Sequence, residues 1–194
     1  ILLIFDEVIT MFGRMGAATA AERYQISPDM ITFAKGVTNG VIPMGGVIAS
    51  SKIYDAFQQK NDWQIELFHG YTYSGHPVAA AAALATLNVY RDEKLYERGR
   101  LIEKWLEEAV HKLKGAPFVA DIRNSGAAAA IDIEPAPGAP GKRGHEAIRR
   151  AFFDENIVLR VGGDTIALGP ALIAEQSHIE RLVSGVERVL KRLT

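Results

Sequence analysis

Ile1-Leu2-Leu3-Ile4-Phe5-Asp6-Glu7 opens the chain: five apolar residues in a row, then two carboxylates. An unbroken apolar run fits a strand covered on both faces, as in a parallel sheet. Met30-Ile31-Thr32-Phe33-Ala34 is a second short strand, and it delivers Lys35 against Gly36. Two buried strands that each end in a charged group, of opposite sign, place a carboxylate and an amine at the same edge of one sheet. Ligands of open α/β sheets gather at the carboxyl ends of the strands. Asp6 and Lys35 are therefore read as two ends of one site.

The rest of the chain extends that frame. Ala17–Tyr24 is Ala-rich and helix-prone, and Ser27-Pro28-Asp29 is a turn. Val41–Ser50, with Gly45-Gly46 inside it, reads as a strand with a close backbone approach. Ser51–Gln59 reads as a short helix. Asn61–His76 is polar, aromatic and Gly-containing, and reads as a functional loop. Pro77–Tyr90 is a helix with Pro at a tolerated first position; it is apolar nearly all round, which predicts burial. From Arg91 the texture becomes charged and amphipathic. Lys94–Lys114 carries Leu95, Ile102, Trp105, Leu106, Ala109 and Leu113 on one stripe. Strands are expected at Phe118–Ile122 and Ala128–Ile133, and a helix at Gly144–Asn156. Ile157–Val161 and Asp164–Leu168 flank Gly162-Gly163, a hairpin signal. Ser177 to Glu180 fits a capping box that opens a last helix. The fold class is α/β, with residues 1–88 in one domain and 89–194 in a smaller α+β domain. The chain opens in mid-strand without Met, so it is expected to be the C-terminal part of a longer protein.

The 194 residues are 48% hydrophobic and 23% charged, enough for a packed core. A formal net charge of -1 offers no attraction to nucleic acid or an anionic membrane, and neither is expected as a partner. With no cysteine there are no disulfides or thiolate metal sites. No apolar run approaches the roughly 20 residues of a membrane helix, and no signal-peptide pattern is present. A cytoplasmic location is the expectation. His69 and His76 lack a third ligand and are read as loop structure, so no metal is assigned.

A lysine at the end of an apolar strand can be partly desolvated, which favours the neutral, nucleophilic amine that forms Schiff bases with carbonyls. An exposed lysine at a strand end is the plainer alternative. Asp6 can pair with a cationic ring nitrogen, yet an apolar run ending in Asp-Glu is also the Mg²⁺-holding strand of nucleoside triphosphatases. Asp6 alone does not choose between them. Glu7 reads as holding the local hydrogen-bond network. Arg160, in an alternating strand, reads by itself as an outward-facing charge.

The ordered motifs Asp6-Glu7-Val8-Ile9, Gly13-Arg14, Thr32-Phe33-Ala34-Lys35-Gly36, Pro43-Met44-Gly45-Gly46, His69 through Pro77, Asp121-Ile122-Arg123-Asn124 and Arg160 through Leu168 together resemble the class III aminotransferases. Within them the chain is most similar to the ω-amino acid (β-alanine):pyruvate transaminases. The resemblance implies the pyridoxal 5'-phosphate-dependent transferase fold of aspartate aminotransferase (fold type I). Residues 1–88 would be the C-terminal half of the large cofactor domain, and residues 89–194 the small domain. It implies that Lys35 holds the cofactor as an internal aldimine and shuttles the α-proton. Asp6 would bind the pyridinium nitrogen, Val8 pack on the ring, and Tyr71 and Thr72 reach the cofactor phosphate of the other subunit of a homodimer or higher homo-oligomer. Arg160 would grip a substrate carboxylate. The substrates implied are a small-molecule amino donor and a keto acid such as pyruvate. Ile9, where many relatives have Gln, leans toward the ω-amino acid branch; Met11 and Met15 stand where Gly and Thr are commoner. Same-fold decarboxylases, racemases and aminomutases share these residues, and a non-catalytic fragment is the remaining alternative.

Overall fold

The computed structural model describes residues 1–58, 63, 65–70 and 72–194. Contacts group the chain into two compact units, Ile1–Tyr96 and Glu97–Thr194. The division that the sequence texture suggests, at 88/89, falls inside a continuous helix, Pro77–Asp92.

In the first unit, β1 (Ile4–Asp6) runs parallel to β2 (Met30–Phe33), with Asp6 in register with Thr32. The crossover between them carries α1 (Ala20–Tyr24), capped by the Thr19 hydroxyl, which accepts from Glu22 N–H at 2.9 Å. The helix is shorter than its Ala-rich stretch. Phe12 N–H and Gly13 N–H donate to the carbonyls of Ala18 and Ala17, folding that stretch back before the helix begins. Strand β3 (Gly46–Ala49) pairs antiparallel with β2, so the sheet order is β1-β2-β3. Helices α2 (Ser51–Phe57) and α3 (Pro77–Asp92) follow. Two burial expectations fail here. Leu2, Leu3 and Ile4 are about half exposed, because β1 is an edge strand of a small sheet. Helix α3 buries only Ala79, Ala83 and Tyr90 and leaves Val78, Leu84, Leu87 and Val89 exposed.

Helix α4 (Leu95–Val110) begins at the end of the first unit, and its remainder belongs to the second. There an antiparallel sheet of order β4-β5-β7-β6 is built from β4 (Val119–Asn124), β5 (Ala129–Ile133), β6 (Arg160–Gly162) and β7 (Thr165–Leu168). Helices α5 (Lys142–Glu155) and α6 (Gln176–Leu190) complete it. The alternation of β5 sends Ala129, Ile131 and Ile133 inward. They meet Ile102, Leu106 and Ala109 of α4, Ala147 and Ala151 of α5, and Ile179, Val183 and Val186 of α6. Trp105 packs on the edge of this core.

Two local readings shift. The hairpin loop is Gly163-Asp164, because Gly162 pairs with Thr165 and belongs to the strand. Helix α6 starts from Glu175, two residues before the expected cap. Its backbone N–H donates to His178 Nδ1 at 3.0 Å, and Arg98 Nη2 holds its carboxylate at 2.6 Å.

Candidate active site

The parallel pairing of β1 and β2 decides the geometry. Asp6 ends β1, its register partner Thr32 lies near the end of β2, and Lys35 follows Thr32 by three residues. Carboxylate and amine thus sit at the carboxyl ends of neighbouring parallel strands. Asp6 is oriented by two donors, the Thr32 hydroxyl and the Val8 N–H, each 3.2 Å from Oδ1. Oδ2 carries no hydrogen bond among the described residues, so one oxygen is fixed and the other is presented. Val8 is half-buried beside it.

Glu7, one residue on, points the other way and is 1% exposed. Its carboxylate accepts from Ala20 N–H at 2.6 Å, Ala21 N–H at 3.0 Å and the Thr10 hydroxyl at 3.2 Å. A buried carboxylate is tolerable only when hydrogen-bonded so fully. The acidic pair therefore divides its work. Glu7 ties the end of β1 to the first turn of α1, and Asp6 is left facing the strand ends.

Lys35 is exposed and opens a 3-10 turn, Lys35–Val37, with φ +47°. A non-glycine residue in the left-handed region carries local strain, a feature that collects at functional sites. No ion pair or side-chain hydrogen bond engages its amine among the described residues. The turn is gripped from below. A Cβ on Gly36 would come within 3.0 Å of Phe12 Cβ, so the ring of Phe12 can lie directly under the turn only because residue 36 is glycine. Phe12 packs edge-on against Phe33 and beside Tyr90, whose hydroxyl donates to the Gly36 carbonyl at 3.4 Å. Burial, reinforced by Tyr96 and opposed by Arg14, raises the Tyr90 pKa and keeps that hydroxyl a donor. Gly45 and Gly46 serve the same end. A Cβ on either would strike the Phe33 carbonyl at 2.9 Å or its ring at 2.7 Å, which is the close approach the Gly-Gly pair predicted.

The other expected residues come from later parts of the chain. Thr72 lines a separate cleft of about 630 Å³ in the same unit, together with Pro43, Met44, Gly45 and Ser74. Tyr71 lies outside the described residues. Arg160 belongs to the second unit, on the edge strand β6. Register aligns Arg123, Ala130, Ala167 and Arg160 in one row across the sheet. Arg123 is engaged by Asp121 and Asp132, whereas Arg160 is exposed and carries no ion pair among the described residues. One contributor escaped the sequence reading. Thr32 is the lone hydroxyl in an apolar strand, a signal visible in the sequence but meaningless until register sets it beside Asp6.

Residues 1–190 match the family model described as Aminotransferase class-III. The chain is 54% identical over 190 residues to an omega-aminotransferase of Caulobacter vibrioides, covering 98% of this chain and 43% of that protein. It is 45% identical over 192 residues to a beta-alanine–pyruvate aminotransferase of Pseudomonas aeruginosa, again covering 98% of this chain and 43% of that one. Among solved structures, an (S)-enantioselective omega-transaminase from Thermomicrobium roseum superimposes with TM-score 0.90 at 33% identity, over 98% of this chain and 43% of that one. An amine transaminase from an uncultivated Pseudomonas species, in a PLP-bound form, gives TM-score 0.91 at 31% identity, over 100% of this chain and 45% of that one. The chain thus spans about 43% of the length of the curated relatives it matches.

Proposed function

The chain belongs to the class-III aminotransferase family, and we propose that it supplies the lysine, the ring-nitrogen carboxylate and the substrate arginine of a pyridoxal-phosphate-dependent transaminase. The reaction is ping-pong: an ω-amino acid or amine gives up its amino group, and pyruvate or a similar keto acid receives it. The observation that carries this reading is the pairing of Asp6 with Thr32 on parallel strands, which brings Asp6 and Lys35 to adjacent strand ends.

Pyridoxal phosphate, when bound, contributes an aldehyde and an electron-accepting ring. The residues present suit it. Lys35 has an unengaged amine that would hold the aldehyde carbon and, once freed by the incoming substrate amine, would take and return the substrate proton at Nζ. Asp6 would keep a proton on the ring nitrogen, and its Oδ2 is the oxygen that its neighbours leave open for that role. Val8 would pack on the ring. Tyr71 and Thr72 serve the phosphate of the opposite subunit, which makes a homodimer the working form. Arg160 holds the pyruvate carboxylate, where a guanidinium fork suits a planar anion. In this reading residues 1–88 are the C-terminal half of a larger cofactor domain and residues 89–194 a small domain. The half-exposed Leu2, Leu3 and Ile4 and the exposed flank of α3 support it, since apolar surface of that extent asks for cover. No described helix is long and apolar enough to cross a membrane, and the proposed location is the cytoplasm.

The test uses the full gene product carrying these residues. Pyridoxal phosphate should generate visible absorbance that borohydride fixes on the peptide containing Lys35, and β-alanine plus pyruvate should yield alanine. Lys35→Ala should lose both signals with the fold intact. A Lys35→Ala protein that still transaminates would overturn the assignment, and release of CO₂ or racemised substrate without alanine would move it to another same-fold reaction.

A further inference from the structure

Arg160 sits on β6, three residues long and at the edge of its sheet, paired on one side only. Such a strand needs an outside anchor if its side chains are to hold a direction. That anchor is Asp164, in the loop that closes the β6–β7 hairpin. Its two carboxylate oxygens are used separately: Oδ2 accepts from Gly141 N–H at 2.5 Å, and Oδ1 from Gly144 N–H at 2.9 Å. Gly141 is the N-cap residue of α5, at φ +82°, and brings no side chain of its own to cap the helix. The free N–H groups of a helix start attract a carboxylate, and here the carboxylate comes from the hairpin. The backbone carbonyl of Asp164 also accepts from Ile133 N–H at 2.9 Å, tying the loop to the end of β5.

The hairpin presses on α5 without any gap. A Cβ on Gly144 would lie 1.9 Å from the Gly163 carbonyl oxygen and 2.7 Å from Val161 Cγ1. Only glycine at 144 lets the strand that carries Arg160 touch the first turn of α5. The hairpin is therefore held by a backbone contact and by a two-pronged carboxylate, four residues from Arg160 along the chain.

We infer that Asp164 is a positioning residue for Arg160: by clamping the edge hairpin to the start of α5, it fixes the direction from which Arg160 meets a substrate carboxylate. The inference rests on the proposed role of Arg160. Loss of the clamp acts on carboxylate recognition and not on the proton transfers at Lys35. Misplacement of a gripping group by about 1 Å can cost up to about 10²-fold.

The experiment measures kcat and KM of the full-length holoenzyme for pyruvate and, separately, for a carboxylate-free amine donor. Asp164→Ala should raise the pyruvate KM about tenfold or more, leave kcat within about twofold, and leave the amine KM unchanged. Asp164→Asn keeps one acceptor and loses the other, so its pyruvate KM should fall between the two; it is also the reading to use should the Ala variant fail to fold. Adding Asp164→Asn to Arg160→Ala should raise the pyruvate KM no further, since a positioning residue has nothing left to position. If Arg160→Ala raises the pyruvate KM while neither Asp164 variant does, the inference is overturned and the proposed function stands. Equal rises for pyruvate and amine would reduce Asp164 to a general structural part and also overturn it. If Arg160→Ala itself leaves the pyruvate KM unchanged, the role of Arg160 fails and takes this inference with it.

Discussion

The largest fully buried side chains divide sharply between the two units. In Glu97–Thr194 they are aliphatic: Ile102, Leu106, Val110, Ile131, Ile166, Ile179, Val186, Val189 and Leu190. In Ile1–Tyr96 they are Glu7 and Thr38, both polar and both hydrogen-bonded, Thr38 to the Ile42 carbonyl at 2.6 Å. The second unit is held by burial of apolar surface around one centre. The first is organised around hydrogen bonds at the strand ends, while much of its apolar surface stays open. The proposed lysine and its paired carboxylate lie in the unit whose largest fully buried side chains are polar. Buried polar networks give direction to side chains, which apolar packing alone does not.

The boldest way to break this contrast is to separate the units. Residues 97–194 expressed alone should show one cooperative urea transition, because their core closes on itself. Residues 1–96 alone should show none and should bind a hydrophobic dye. A cooperative transition for residues 1–96 would mean that their polar network suffices and the contrast is false.

The next expected effect is in kcal/mol. Ile131→Ala, at a fully buried site, should destabilise the second unit by about 2–5 kcal/mol. Leu84→Ala, on the open side of α3, should shift stability by no more than about 0.5 kcal/mol. Urea unfolding followed by Trp105 fluorescence, with Trp63 replaced, reads the first, and far-ultraviolet dichroism reads the second. Comparable costs at the two sites would erase the distinction.

How much of this was legible beforehand follows the same division. The stripe of α4 was readable because Ile102, Leu106 and Ala109 recur at helical spacing, continued by Leu113 in the 3-10 turn that follows, and periodicity is what a closed core imposes on sequence. The strand ends were readable too, since an apolar run terminated by Asp6 or Lys35 carries its own signal. Burial in the first unit was misread, because five apolar residues announce cover but not whether these residues provide it. Thr32 and Asp164 stayed hidden for another reason. Each acts on a residue that pairing brings near, and register is a tertiary fact. The hairpin shows how fine the margin is: moving the loop by one residue, from Gly162-Gly163 to Gly163-Asp164, turns the expected first residue of a strand into a loop aspartate that clamps a helix.

Glu7 sharpens the comparison from the polar side. Glu7→Ala leaves two backbone N–H groups of α1 and the Thr10 hydroxyl without their acceptor. Orphaned buried donors cost about 1–3 kcal/mol, so the first unit should be destabilised by about that much. The same variant should weaken pyridoxal phosphate retention, because the end of β1 that carries Asp6 loses its tie to α1. Glu7→Gln keeps one acceptor and should fall between. Unchanged stability in Glu7→Ala would mean that water replaces the carboxylate and that the network at the strand ends is not structural.

The smallest effect belongs to the charged face of the second unit, where polar groups sit outside the core. Arg123, with help from the Thr165 hydroxyl, holds the Asp132 carboxyl below the ordinary carboxylate range. A depressed folded pKa contributes stability that is fully present above the unfolded value, near 4. That contribution is lost as pH falls through the folded value. Asp132 is one-third exposed and Arg123 about half exposed, so solvent screening keeps the pair's contribution small at neutral pH. Asp132→Asn should therefore lower stability slightly at pH 7, by less in high salt. The difference from the unsubstituted chain should close as the pH drops below about 4. Urea midpoints at a series of pH values measure this. A gap that widens toward acid would reverse the sign of the shift, and a gap as large as that of Ile131→Ala would place a surface ion pair on a par with the core.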